Sequence, residues 1–372
     1  ASFVNEFGKV VIVGDNVPRF DHDPTTRECK GLLIEESRTN LLKYSVDFAS
    51  IPGYQENYSN ARSTLSSTTE VAPDGTNTAS KYVRTAGQGT GEVAIIIGNT
   101  LGLSNGTVYT SSIFVKNVGT SGILEFVNVR ASDANDDSQF NLANGTITTE
   151  GSNNSLTTIT PYPNDWYRIS VTATMNNLSG YFWIRMYNQP EGDGFIIWGG
   201  QVEAGAYPSS YIPTQNNVSV TRGADFTTLR DDDFTDAISQ TEGTLIAEYD
   251  NVTSDGYVLS LDGSGGDKIG MVNSNSYQLM GTAGGSSQGT TDNGTLLSGT
   301  NRFALAYKVN DTAISINGNT ATVDTSYTLP TTTFMSIGHR QSQYDQLGSC
   351  IARIMYYNKR LPNSQLKTLS TR

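Results

Sequence analysis

Between Phe195 and Phe226 the chain reads FIIWGGQVEAGAYPSSYIPTQNNVSVTRGADF, and no other stretch limits the possible folds as much. Four consecutive apolar residues open it: Phe195, Ile196, Ile197 and Trp198. So short a run, built from aromatic and β-branched side chains, fits a strand over Phe195–Val202 buried on both faces. Pro208, Pro213 and the polar tract Thr214–Val220 then end the sheet. The chain before this joint reads as one β module, and the chain after it as another.

Ahead of the joint, strand-like runs are expected at Glu92–Ile97, Thr107–Lys116, Ile123–Arg130, Gln139–Asn141, Trp166–Met175 and Gly180–Asn188. Behind it come Thr244–Asp250, Tyr257–Leu261, Lys268–Val272, Ser276–Met280, Arg302–Val309, Ala313–Asn317, Ala321–Val323, Phe334–Gly338 and Cys350–Asn358. Turn-rich gaps separate them. The pattern predicts an all-β fold: two antiparallel β-sandwich (jelly-roll) modules with an N-terminal β arm and a short C-terminal helix. The boundaries fall at 1–40 (arm), 41–213 (first module), 214–240 (crossover) and 241–372 (second module).

The arm carries β runs at Val10–Val13 and Gly31–Glu36. Too short to bury a core, it must pack on its own sandwich, on the second module or on a neighbouring subunit. In the crossover, Asp231–Gln240 fits one helical turn with Phe234 and Ile238 on one side. Asn317-Gly318 signals a tight turn with positive φ. KRLPNSQLKTLS predicts a closing helix that starts at Pro362, with Asn363 or Ser364 near its cap.

Composition excludes several classes. With 37 glycines and 19 tyrosines against 13 phenylalanines in 372 residues, the chain is turn-rich and too aromatic for disorder. No segment approaches the ~20 apolar residues of a membrane-crossing helix, and the opening reads as a strand rather than a secretory leader. A net charge of −12 repels phosphate backbones, so nucleic-acid binding is not expected. Two cysteines, Cys29 and Cys350, rule out a disulfide scaffold, and a single bridge between them is not required. Two histidines leave little for a zinc site or a His-based triad.

Two long passages resemble one known family. WGGQVEAGAYPSSYIPT followed by TRGADF resembles the end of a β-sandwich module of tailed-bacteriophage fibre and other virion proteins. PRFDHDPTTRECKGLLIEESRTNLL, from Pro18 to Leu42, resembles the lead-in of the same family. The first module also resembles jelly rolls used as carbohydrate-binding modules. NRFALAYKVNDTAISING with GSCIARIMYYNKRLPNSQLKTL resembles the concanavalin A-like lectin/laminin-G sandwich. The resemblance implies a virion surface protein on a tail or capsid fibre, assembled in the host cytoplasm. It implies a trimer, other virion proteins as partners, and segments that begin further upstream.

Chemistry picks out the candidate binding residues. In the strand Tyr181–Tyr187, alternation puts Phe182, Ile184 and Met186 on a core face and Tyr181, Trp183, Arg185 and Tyr187 on the other. Three rings and a guanidinium suit a sugar, with rings for pyranose C–H faces and a donor fork for hydroxyls or carboxylates. The same face equally serves packing against a sheet edge, the arm or another subunit. Trp166 and Trp198 are assigned to the core. In the second module the loop 339–347 offers His339, Arg340, Gln343, Tyr344 and Asp345, either as a ligand rim or as a solvated loop tip. Asp133, Asp136 and Asp137 are hard-oxygen candidates for structural calcium, and Asp231–Asp236 forms a second acidic cluster; both lack EF-hand spacing. No cofactor is expected.

Glycan cleavage usually needs paired carboxylates. Glu125, Glu203 and Glu248 lie in or beside strands, and nothing in the sequence marks two of them as a pair. No nucleophile elbow, P-loop, dinucleotide fingerprint, HExxH or repeat occurs. The expectation is therefore no enzyme: a non-catalytic receptor-binding protein recognising a bacterial surface polysaccharide. A structural connector and a polysaccharide depolymerase are the alternatives.

Overall fold

The computed structural model describes residues 1–51, 56–57, 62–85, 93–99, 101–127, 137–175, 181–186, 189–251, 256–274, 276–295, 297–340 and 345–372. The fold is all-β and antiparallel, with two short helices, one of them C-terminal. The chain divides into two compact units. The first holds Ala1–Val17, His22–Glu28 and Arg38–Arg222, and the second holds Pro18–Asp21, Cys29–Ser37 and Gly223–Arg372. Residues 1–40 are thus shared between the units.

The first unit contains two six-stranded sheets. One runs Asn154–Tyr162, Trp166–Thr174, Val108–Val118, Gly194–Ala204, Ser80–Arg84, Ser63–Ser67 in spatial order. The other runs Thr146–Thr149, Asp137–Asn141, Ile123–Val127, Tyr181–Met186, Val93–Asn99, Glu56–Asn57. Phe126, Phe140, Ile184 and Met186 from the second meet Ile113, Val115, Ile169, Val171 and Ile197 from the first in one core.

The strand Gly194–Ala204 is buried along nearly its whole length, as its apolar run predicts. Phe195 and Ile197 face the sandwich core, while Ile196 and Trp198 face a second cluster with Val10, Phe114, Trp166 and Tyr211. The alternation then changes phase. Gly199 and Gly200 together stand opposite Ile113 in a β-bulge, so Val202 returns to the sandwich core. Gly199 sits at φ +65°, and an added Cβ would lie 2.8 Å from the Phe114 ring. Only glycine fits both the backbone and the space.

The bulge turns Gln201 and Glu203 toward the next loop. The backbone N–H of Ile212 donates to Gln201 Oε1 at 2.7 Å. Ser209 donates its N–H (2.9 Å) and hydroxyl (2.6 Å) to the Glu203 carboxylate. Asn40 donates to the carbonyls of Gly200 (3.1 Å) and Ile212 (2.9 Å). Arg38 reaches the Ala204 carbonyl and lies over the Tyr207 ring at 4.8 Å. The polar letters of QVEAGAYPSSYIPT and SRTN are therefore a buried lock on one loop.

The second unit is also a two-sheet sandwich. Its six-stranded sheet runs Thr227–Arg230, Phe334–Ile337, Gly256–Asp262, Lys268–Ser274, Ser276–Ala283, Ser286–Thr295. Its seven-stranded sheet runs Thr322–Asp324, Thr312–Ile316, Gly299–Lys308, Glu242–Asn251, Ser349–Tyr357, Cys29–Ile34, Phe20–His22. Leu245, Tyr249, Leu259, Met271, Phe303 and Ile314 belong to the core between them. Cys29–Ile34 pairs with Ser349–Tyr357, where Gly31 at φ +105° passes so close that a Cβ would lie 2.2 Å from the Ile351 carbonyl oxygen. Buried Arg19 joins Glu35 at 2.6 Å and also Asp225. The letters PRF, IEE and GADF thus form one internal charge cluster.

Local signals hold at several places. The helix Asp231–Ala237 buries Phe234, with Ile238 at its end. Asn317 and Gly318 both take positive φ. The closing helix is Asn363–Leu369, with Pro362 at the N-cap and Asn363 and Ser364 directly after it. Cys29 and Cys350 are free thiols.

Candidate functional sites

The strand Tyr181–Met186 lies between Ile123–Val127 and Val93–Asn99. Ile184 and Met186 are fully buried in the core, so Trp183 and Arg185 occupy the outer face. Arg185 stands directly across from Glu125, with its Nε 3.0 Å from Oε2 in an ion pair that lacks a hydrogen bond's alignment. Its other arm reaches Asp137. One guanidinium thus bridges two carboxylates, and its donor fork is spent within the sheet. Trp183 is half-buried beside it. The side chain of Tyr181, and Tyr187 altogether, lie outside the described residues.

Asp137 opens the strand Asp137–Asn141, and its partner is Arg185. Asp133 and Asp136 lie outside the described residues. Among the described residues no group of three or more His, Cys, Asp or Glu side chains is placed to hold a metal ion.

In the second unit His339 is fully buried. Its Nδ1 lies 2.9 Å from the Arg340 carbonyl, and Nε2 faces the N–H (3.1 Å) and C=O (2.9 Å) of Thr227. Both ring nitrogens are thus within hydrogen-bonding distance of backbone groups of Arg340 and Thr227. The ring also stacks on Phe226 at 4.4 Å. His339 therefore ties the paired strands Thr227–Arg230 and Phe334–Ile337 together at their ends. Arg340 pairs with Asp345 at 2.8 Å on the surface. Gln343 and Tyr344 lie outside the described residues.

The three strand carboxylates are each engaged separately. Glu125 holds Arg185, Glu203 holds the loop at Ser209, and Glu248 accepts from Arg302 Nε at 2.9 Å.

A recess that the sequence analysis did not single out lies in the first unit. It encloses about 310 Å³, and its walls include Phe7, Val71, Pro73, Tyr162 and Pro163, with Lys9 at the rim. Phe7 is 64% exposed at the tip of the hairpin Ser2–Val4/Val10–Ile12. Asn5 fixes that tip by accepting from the N–H groups of Phe7 and Lys9, both at 3.0 Å. Buried Trp166 closes the base and donates to the Val71 carbonyl at 3.2 Å. One signal was present in NEFG, where a phenylalanine occupies a turn position normally left to polar residues.

No protein-family model matches the chain, and no curated protein matches it. Solved structures similar to it include domains LG4–5 of the mouse laminin α1 chain, at 8% identity and TM-score 0.28, over 95% of each chain. A Trypanosoma rangeli sialidase in complex with the inhibitor DANA is similar at 12% identity and TM-score 0.31, over 80% of this chain and 66% of that one. A second structure of that sialidase, a covalent intermediate with 2,3-difluorosialic acid, gives 19% identity and TM-score 0.28, over 35% of this chain. The chain spans 22% of that sialidase's length. These likenesses are with laminin G domains and with a sialidase. The sialidase matches overturn the expectation that the chain is not an enzyme, which is withdrawn, and they assign no reaction in its place.

Proposed function

We propose that this chain is a virion surface protein that binds a bacterial surface polysaccharide. The observation that carries the reading is the recess at Phe7. Aromatic and proline walls with an ammonium at the rim suit the C–H face and hydroxyls of a sugar ring. Two apolar side chains on its wall, Phe7 and Val71, are 64% and 48% exposed, which favours a surface that acquires a cover. Half-buried Trp183 supplies a second ring on the outer sheet face. The virion assignment rests on the wording of Pro18–Leu42 and Trp198–Phe226. Several copies on one particle would turn weak single sites into firm attachment.

The test is size-exclusion chromatography of purified bacterial surface polysaccharides with and without the protein. Co-elution with polymer of unchanged or larger size supports binding. A progressive fall in polymer size shows that the bound glycan is also cut. Elution of every polymer and of the protein unchanged defeats the reading.

A further inference from the structure

A second cavity, of about 200 Å³, opens on the outer face of the seven-stranded sheet in the second unit. Register sets a row of alternating charge across three neighbouring strands there: Arg302 opposite Glu248, and Glu248 opposite Arg353. Arg302 is engaged within the protein, since its Nε donates to Glu248 at 2.9 Å and its Nη1 to the Thr371 carbonyl at 2.8 Å. The side chain of Arg353 is exposed and has no hydrogen bond or ion pair among the described residues. Beside the row, Ile246, Met355 and Leu369 give the cavity an apolar wall.

Two guanidinium groups against one carboxylate leave one positive charge in the cavity, in a chain whose net charge is −12. The guanidinium of Arg353 keeps its planar donor fork open, and such a fork matches a carboxylate in two parallel hydrogen bonds. We propose that this cavity binds a carboxylate-bearing sugar residue, with the Arg353 fork on the carboxylate and the ring against Met355 and Leu369, which are partly buried over Ile246. Glu248 sets the selectivity, because it holds Arg302 and repels an anion that does not reach Arg353. The proposal rests on the glycan-binding reading for the source of its ligand, and it assigns that ligand an acidic residue.

The experiment is titration of the full chain with trigalacturonate, followed by NMR line-broadening of the sugar, against neutral galactotriose and inorganic phosphate. Trigalacturonate is expected to bind and galactotriose to bind at least about tenfold more weakly, with affinity falling as salt rises. Arg353→Gln should lose about tenfold or more, and Arg353→Lys an intermediate amount, because it keeps the charge and loses the fork. Melting should not change, because Arg353 has no partner to lose among the described residues. Equal binding of the two sugars, phosphate binding as well as trigalacturonate, or an unaltered Arg353→Gln variant overturns the proposal. The two readings separate cleanly. A surface polysaccharide bound equally by wild type and Arg353→Gln keeps the glycan reading and removes this site; trigalacturonate bound through Arg353 with no polysaccharide bound does the reverse.

Discussion

Replacing Glu203 by alanine tests whether the most recognisable wording of the chain is a structural lock. The carboxylate is fully buried and accepts from Ser209 N at 2.9 Å, Ser209 Oγ at 2.6 Å and Gln201 Nε2 at 2.7 Å. A buried donor left without a partner costs about 1–3 kcal/mol. Ser209 N has no other hydrogen-bond partner among the described residues and should cost near the middle of that range. Gln201 and the Ser209 hydroxyl have fallbacks at the Ser210 carbonyl, at 3.4 and 3.3 Å, so their losses are smaller. Arg38, 4.0 Å away, loses its counter-charge. The sum is about 3 kcal/mol, which at a urea slope of ~2 kcal/mol/M lowers the midpoint by ~1.5 M. Glu203→Gln keeps the shape and one acceptor and should cost about a third as much. All three tryptophans lie in the first unit, so tryptophan fluorescence during urea unfolding reads it directly. A midpoint shift under ~0.5 M for the alanine variant, or equal shifts for alanine and glutamine, would refute the lock.

Three further perturbations have defined outcomes. Gly199→Ala should destabilise the first unit by about 1–3 kcal/mol, through a positive φ and a contact with Phe114, read as a lowered melting temperature. Asp262 is fully buried, and burial pushes its carboxyl upward against hydrogen bonds from Ser336 and Ser260. Folded Asp262 then holds its proton more firmly than the unfolded chain does, so stability rises as pH falls through the folded value and levels off below the unfolded one, near ~3.9. Asp262→Asn should therefore melt higher than wild type at neutral pH, and the advantage should fade in acid; a constant difference across that range contradicts the assignment. Phe7→Ala should leave melting unchanged, because the ring is 64% exposed, while weakening polysaccharide binding.

Much of the fold was legible because its signals are local. Phe195-Ile196-Ile197-Trp198 announced a strand buried on both faces, Phe234 and Ile238 a docking helix, and Asn317-Gly318 a turn with positive φ. The Gly199 bulge was not legible, since its phase change depends on which residue of another strand faces it. Alternation placed Arg185 on the outer face, but its partners come from strands at Glu125 and Asp137 that no local pattern links to it. Burial of His339 beneath Phe226 was equally invisible, because a loop histidine and a buried one read alike. Recesses arise where distant turns meet, so Phe7 and Tyr162, far apart in the chain, share one only in the fold.

The most direct measurement is the affinity of wild type and Phe7→Ala for a surface polysaccharide that co-elutes with the protein, by biolayer interferometry on immobilised polymer. Loss of a ring stacked on a sugar predicts a decrease of about tenfold, ~1.4 kcal/mol, with melting unchanged. Equal affinity for the two proteins would contradict binding at this recess.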